Sequence, residues 1–256
     1  MKIIFDTNVW RQITLPDYFP NDPSIDSLRQ IRESILHGKI EPYISETVFT
    51  IESIKRIERK KFISNYIPRI VFTEKNSNET TSVSTSKNIH SSQHPSNHPI
   101  LQEHLDAAIE LGIRIVRYPR LAGIINPDIE NLRFKLTGDS LKDYHTKLFA
   151  VGEQIELREA GFKHIQTIGK NFDSNWLKGI EKAPEDEWGN IAKAVAEWAD
   201  GDSVAISIAL GCNYFCTRDL AKGAGNKSVL SHDNLTWLNN DYGFETILPK
   251  DLAKLI

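Results

Sequence analysis

The chain has 256 residues, and its 40% hydrophobic and 25% charged residues favour a globular protein and exclude a disordered or fibrous one. The net charge of −3 excludes a basic field over the whole molecule, so any contact with nucleic acid depends on local basic patches. Two cysteines are too few for a disulfide framework or a structural zinc site, and no apolar run is long enough for a membrane span. We therefore expect a cytoplasmic protein with no membrane partner.

The first part of the chain alternates short apolar runs with helical patterns. Residues 2–5 form an apolar run that predicts a buried strand ending at Asp6. Apolar residues at helical spacing predict a helix over 23–36, and a second strand is expected over 41–44. A helix over 46–62 follows this strand.

The middle of the chain changes character. Residues 74–99 are polar and aperiodic, which predicts a disordered surface loop because such a segment buries too little apolar surface to fold. A helix is expected over 101–111 and a strand over 113–116. From about residue 140 to 199 the pattern is mostly helical.

The last part of the chain again alternates strands and helices. A compact apolar helix over 203–210 is expected to begin at Asp202, and the strand that follows it leads into Asp219. A strand is then expected over 229–230, a helix over 235–238, a strand over 244–248 and a helix over 249–255. Strands that alternate with helices predict a parallel sheet covered by helices.

Acidic residues recur where predicted strands end. Asp6 ends the first strand, and Asp219 lies two residues beyond Thr217 at the end of a late strand. In parallel α/β sheets, ligands bind beyond the carboxyl ends of the strands, so each acid is a candidate metal ligand. Ordinary alternatives stay open: Asp6 as a helix cap, Asp219 in an Asx turn and Asp202 as an N-cap.

A fourth acid is expected on the helix after the second strand. Glu52 shares a helical stripe with Val48 and Ile51, which points inward. A buried carboxylate needs a partner, and a cation is one candidate, whereas a surface ion pair with Arg56 is the alternative. Glu46 lies about 120° away around the helix and is the reserve candidate.

These carboxylates converge if the strands that carry Asp6 and Asp219 are neighbours in the sheet. Ligand sets made only of oxygen suit Mg²⁺ or Mn²⁺ rather than zinc. Because Mg²⁺ keeps bound water and engages phosphates, the pattern predicts phosphate chemistry.

Two stretches of the sequence together resemble the PIN-domain family. They are residues 3–8 (IIFDTN) and residues 201–219 (GDSVAISIALGCNYFCTRD). Members of this family typically open with a hydrophobic strand ending in Asp. They carry an acid at the start of a late helix of small residues, and then a strand ending in Thr-x-Asp. The likeness covers roughly residues 1–60 and 200–256.

This resemblance implies a metal-dependent endoribonuclease on an α/β fold, a Rossmann-like three-layer α/β/α sandwich with a central parallel sheet. The catalytic metal ligands that it implies are Asp6, Asp202, Asp219 and, with a one-residue shift from the family's usual spacing, Glu52. The supporting residues that it implies are Asn8 and Thr217. The acids would hold one or two Mg²⁺ or Mn²⁺ ions while a water attacks the phosphorus in line, which leaves 5′-phosphate and 3′-hydroxyl ends.

The expected domain layout is a single PIN-like domain built from residues 1–63 and 200–256. The disordered loop at 74–99 and a mostly helical insertion at 100–199 interrupt it. The resemblance leaves a toxin, an RNA-processing enzyme and a phage-defence nuclease all open as biological roles. The partners expected with these roles are an RNA substrate, an antitoxin or other protein, and a second copy of the chain in a homodimer.

Local basic residues are the candidates for RNA contacts, with a solvated helix face as the alternative. They are Lys55, Arg56, Arg59, Arg218 and Lys222. A competing interpretation is a catalytically silent PIN-like module that binds RNA or protein. A haloacid-dehalogenase-like phosphatase is disfavoured because that family needs an acid where this chain has Asn8.

Overall fold

A computed structural model gives the fold and describes residues 1–52, 54, 58–60, 63, 70–77, 80–87, 99–119, 129–219 and 228–256. Within these ranges, none of the helices combines the length and the apolar character that crossing a membrane demands.

A parallel sheet of five strands lies at the centre of the molecule. The strands of the described chain are β1 (Lys2–Phe5), β2 (Glu41–Ser45), β3 (Ile70–Ser77), β4 (Thr80–Lys87), β5 (Arg114–Val116), β6 (Tyr214–Cys216) and β7 (Thr246–Ile247). The order across the central sheet is β5-β2-β1-β6-β7, and every neighbouring pair runs parallel. This arrangement confirms the expected α/β class with a central parallel sheet.

Helices cover both faces of this sheet. In chain order they are α1 (Thr7–Thr14), α2 (Ile25–Leu36), α3 (Pro99–Glu110), α4 (Gly138–Leu157), α5 (Phe162–Lys170), α6 (Trp176–Lys182), α7 (Trp188–Leu210), α8 (His232–Tyr242) and α9 (Pro249–Leu255). Ile3 and Phe5 of β1 pack on one face against α1, α2, α3 and α9, whereas Ile4 packs on the other face against α4, α7 and α8. Side chains alternate along a strand, so one apolar run serves both cores and holds three layers together.

Part of the segment expected to be a helical insertion packs within the central sandwich. Residues 100–199 are mostly helical, but α3, β5 and α4 belong to the sandwich: β5 pairs with β2, and Ile115 lies in the same core as Ile3. A separate apolar cluster joins α5 and α6 to the first half of α7. The short strand of β5 carries little periodicity, which is why its place in the central sheet was not apparent from the sequence.

Two local expectations are wrong. Part of the segment 74–99 forms an antiparallel hairpin, β3–β4, rather than a disordered loop. Its β-branched residues, such as Thr81 and Val83, favour a strand, and residues 88–98 lie outside the described residues. The strand expected at 229–230 is a turn that precedes α8.

The hairpin of α5 and α6 depends on two glycines at a close backbone contact. A Cβ atom added at Gly179 would lie 1.8 Å from the carbonyl oxygen of Gly169. The two backbones therefore leave no room for a side chain at this position. We expect Gly179→Ala to lower the free energy of unfolding by about 1–3 kcal/mol or more, as overpacking of a core does. Denaturant unfolding measures this loss.

Gly189 of α7 is the matched control, because a Cβ atom there would meet no atom within 4 Å. Gly189→Ala should leave stability unchanged or raise it, since alanine favours a helix over glycine. Equal unfolding free energies for the two alanine variants would contradict the close contact of Gly169 with Gly179.

Candidate metal centre at the carboxyl ends of β1 and β6

Asp6 lies directly after β1 and caps α1. Its Oδ1 accepts a hydrogen bond from the backbone N–H of Thr7 (2.6 Å), and its Oδ2 accepts from Oγ1 of Thr217 (2.6 Å) and Nδ2 of Asn8 (2.7 Å). The side chain is buried, and burial raises the pKa of Asp6 although these hydrogen bonds oppose the shift. Asp6 is therefore both a helix cap and a buried carboxylate within reach of other polar groups.

Thr217 and Asn8 connect the end of β6 to the start of α1. Oγ1 of Thr217 accepts from the backbone N–H of Asp219 (2.9 Å), and Oδ1 of Asn8 accepts from the backbone N–H of Arg218 (3.0 Å). The structure thus brings both expected supporting residues to Asp6. These hydrogen bonds hold the segment that carries Asp219 against the segment that carries Asp6.

Asp219 lies close enough to Asp6 for its charge to raise the pKa of Asp6. This proximity follows from the sheet, because β1 pairs with β6 and Phe5 is in register with Cys216. Two acids separated by almost the whole chain therefore lie beyond the carboxyl ends of neighbouring strands, as the sequence predicted. Their mutual repulsion favours a bound cation.

Asp202 lies within α7 and not at the beginning of a helix, so the expected helix boundary is wrong. Its buried carboxylate accepts hydrogen bonds at Oδ2 from Oγ1 of Thr47 (2.8 Å) and from Nε1 of Trp198 (3.0 Å). Gly201 serves close packing instead of a helix start, since a Cβ atom there would lie 2.9 Å from Cα of Gly161. These bonds give Asp202 a structural role that the sequence did not indicate.

Among the described residues, no group of three or more His, Cys, Asp and Glu side chains is close enough to hold a metal ion as it stands. The structure thus brings together two of the expected ligands, Asp6 and Asp219. It does not join Asp202 to them in one compact cluster.

The segment after β2 departs from a regular α-helix. Residues Val48–Glu52 form a π-helical turn, which contains one more residue than the corresponding α-helical turn. The side chain of Glu52 lies outside the described part of the structure.

Glu46, the reserve candidate, is held by arginine. Its Oε2 lies 2.5 Å from Nε of Arg133 and 3.8 Å from Nε of Arg117, and Thr50 donates a hydrogen bond to its Oε1. Burial raises the pKa of Glu46, and the arginines oppose this effect. Glu46 therefore serves an internal ion pair rather than an open ligand position.

Glu197 is an additional acid that the sequence did not indicate. Burial raises its pKa, hydrogen bonds from Ser228 and the backbone of Val229 lower it, and the charge of Asp219 raises it. Its Oε2 is buried and accepts no hydrogen bond from any described residue. The helix α7 runs without interruption from Glu197 through Asp202, and Glu197 is within electrostatic reach of Asp219.

The expected RNA-contacting residues divide into three groups. Arg59 is buried and donates to the carbonyl oxygens of Ile54 (3.0 Å) and Ala192 (3.2 Å), so the expectation of a surface role is wrong. Nη1 of Arg218 pairs with Asp22 (2.7 Å), while its Nε and Nη2 have no hydrogen-bond acceptor among the described residues. The remaining candidates lie outside the described residues: Lys55, Arg56 and Lys222.

The donor atoms of this site fit Mg²⁺ or Mn²⁺. All of them are oxygens, which these hard cations prefer. A cation would offset both the burial of Asp6 and the repulsion between Asp6 and Asp219. Oε2 of Glu197 is a nearby buried oxygen with no described donor.

Thr217→Val tests how the site is held, because valine keeps the shape of threonine but removes the hydroxyl. The bond from Thr217 stabilises the charged form of Asp6, so its loss should raise the pKa of Asp6 further. Loss of such a supporting bond typically weakens metal binding about 10–100-fold. Carboxyl ¹³C NMR titration and Mn²⁺ binding measure the two effects.

Thr236→Val is the matched control, since Thr236 is exposed on α8 and donates only to the carbonyl oxygen of His232 among the described residues. It should change neither quantity. If Thr217→Val behaved like this control, Thr217 would have no part in positioning Asp6.

Comparisons of the chain with protein-family models, with curated proteins and with solved structures found no match, so a functional assignment rests on the residues of this site.

Proposed function

We propose that this chain is a metal-dependent endoribonuclease of the PIN-like type. One observation carries the proposal: Asp6 and Asp219 lie together at the carboxyl ends of two neighbouring parallel strands, where α/β proteins bind ligands. The same two residues belong to the sequence stretches that resemble the PIN-domain family. RNA as the substrate and the biological role rest on that resemblance.

The residues have distinct roles in this proposal. Asp6 and Asp219 would hold Mg²⁺ or Mn²⁺, and Glu197, which is within electrostatic reach of Asp219, would have to move closer to add a third oxygen. When bound, the cation supplies Lewis-acid stabilisation of the charge that develops on the phosphate oxygens. Asn8 and Thr217 fix the carboxylate of Asp6, so that it does not reorient when substrate binds.

Arg218 contributes positive charge beside the acids, because it directly precedes Asp219. Its Nη1 pairs with Asp22, and its Nε and Nη2 are buried, so none of these nitrogens is open to a phosphate in this arrangement. A toxin restrained by an antitoxin, an RNA-processing enzyme and a phage-defence nuclease all fit this chemistry, in a cytoplasmic protein that acts alone or as a homodimer.

A second candidate is a PIN-like module that binds RNA or protein without cutting. It is favoured by Asp202, whose Oδ2 is engaged by Thr47 and Trp198. The absence of a compact three-acid group among the described residues points the same way. Catalytic activity separates the two candidates.

The test is a cleavage assay on single-stranded RNA and on DNA of the same sequence, with Mg²⁺ or Mn²⁺ and then with excess EDTA. We expect RNA to be cut only when the cation is present, with 5′-phosphate and 3′-hydroxyl ends on the products. Cleavage that persists in EDTA would overturn the metal-dependent mechanism. No cleavage with either cation would favour the silent module.

A further inference from the structure

Three aromatic side chains form a row beside the sheet: Tyr118, His145 and Phe149, called here the aromatic row. The ring centre of Phe149 lies 5.7 Å from that of Tyr118 and 5.9 Å from that of His145. The ring planes meet at 68° and 53°, so neither neighbour stacks face to face on Phe149. Phe149 is 47% exposed, whereas Tyr118 is buried beneath it.

The aromatic row lies at the same edge of the sheet as the acids. Tyr118 follows β5 by two residues, and β5 runs parallel to β1 and β6. The hydroxyl of Tyr144 donates to the carbonyl oxygen of Arg117 (3.0 Å), which ties α4 to the end of β5. Only β2 separates β5 from β1, so the two strands are about 10 Å apart.

The surroundings of Phe149 favour a ligand that is both aromatic and anionic. His145 and Phe149 are four residues apart on α4 and share a face, and Lys142 lies one turn earlier on that face. Lys142 is exposed and pairs with no carboxylate among the described residues. Glu153 lies one turn after Phe149 and Asp139 one turn before Lys142, so the region that favours an anion is confined to the turns between Lys142 and Phe149.

We infer that the aromatic row is a base-stacking subsite for single-stranded RNA, with Phe149 as its open ring and Lys142 as its phosphate contact. Every base has a flat aromatic face, so such a subsite binds single strands with little dependence on sequence. Because Phe149 contacts Tyr118 just beyond β5, a strand with its phosphate at Asp6 and Asp219 would cross only β2 to approach Phe149. The inference rests on the proposed function, because it takes RNA as the ligand.

The experiment measures binding of a fluorescein-labelled, single-stranded oligouridylate by fluorescence anisotropy in EDTA, where the RNA stays uncut. Phe149→Ala should weaken binding about 10-fold, the usual effect of losing one stacking ring. Phe149→Tyr keeps a ring and should bind like wild type. Leu157→Ala removes another exposed apolar side chain, 70% exposed, from the same helix and should also bind like wild type.

An abasic oligomer with the same phosphodiester backbone separates stacking from charge. Phe149→Ala should not weaken its binding, whereas Lys142→Ala should weaken both oligomers. The inference is overturned if Phe149→Ala binds oligouridylate like wild type, if it weakens the abasic oligomer equally, or if wild type binds no oligouridylate. Thermal unfolding of Phe149→Tyr and Phe149→Ala identifies any loss that comes from misfolding.

The outcome is separable from that of the proposed function. Phe149-dependent binding without cleavage in Mg²⁺ or Mn²⁺ would support the subsite and contradict the nuclease. Normal cleavage with no effect of Phe149→Ala would support the nuclease and contradict the subsite.

Discussion

Replacing Asp6 with asparagine should reduce RNA cleavage by at least about 100-fold, more than the loss of a residue that only supports a metal ligand. Asparagine has the shape of aspartate and can still accept the hydrogen bond from Thr7, but it carries no charge to hold a cation. Removal of a buried charge is favourable, but the amide Nδ2 that replaces Oδ2 cannot accept from Thr217 and Asn8, so the two effects oppose each other and stability should change little. Single-turnover cleavage and thermal unfolding measure the two results.

Asp139→Asn is the control for this experiment, because Asp139 is an exposed acid in the first turn of α4. It removes the same charge from the molecule without touching the site. If Asp6→Asn cleaves RNA as fast as Asp139→Asn in matched Mg²⁺ or Mn²⁺, Asp6 has no role as a catalytic metal ligand.

Replacing Asp202 with alanine should lower the free energy of unfolding by about 2–4 kcal/mol. The substitution leaves the hydroxyl of Thr47 and Nε1 of Trp198 without an acceptor in a buried part of the molecule. Unpaired buried donors cost more than the net value of the bonds they lose. Chemical denaturation with a tryptophan fluorescence readout measures the loss and reports on Trp198 itself.

Thr47→Val is the comparison variant, because it removes one donor and leaves Trp198 paired with Asp202. Its loss of stability should be smaller, about 1 kcal/mol. If Asp202→Ala unfolds with the same free energy as wild type, Asp202 is dispensable to the fold. Its carboxylate would then be better explained as a metal ligand alone.

The sequence predicted the part of the site that depends on strand ends. Asp6 directly follows one apolar run, and Thr217 and Asp219 follow a second. This pattern indicates that the acids lie at the carboxyl ends of two parallel strands. The structure confirms that β1 and β6 are parallel neighbours, and the charge of Asp219 acts on the pKa of Asp6. Such features follow from local patterns together with the few topologies that a parallel sheet allows.

The parts that the sequence did not predict depend on contacts between distant residues. The sequence predicts a helix that begins at Asp202, but Asp202 lies inside α7, where the backbone of Gly201 packs closely against Gly161. Glu197 is a candidate because the continuous helix α7 brings it within electrostatic reach of Asp219, and this contact has no local sequence pattern. Arg59 resembles a surface cation in sequence, yet it is buried and donates to the carbonyl oxygens of Ile54 and of the distant Ala192. No local pattern encodes these partners.

The most direct test concerns whether Asp6 and Asp219 together bind a cation. Mn²⁺ binding, followed by electron paramagnetic resonance and by calorimetry, should reveal a site in the wild-type protein that Asp6→Asn and Asp219→Asn each abolish and that Asp139→Asn leaves unchanged. Wild-type Mn²⁺ affinity in either of the two site variants, or no Mn²⁺ site in the wild-type protein, would contradict a shared metal centre at the ends of β1 and β6.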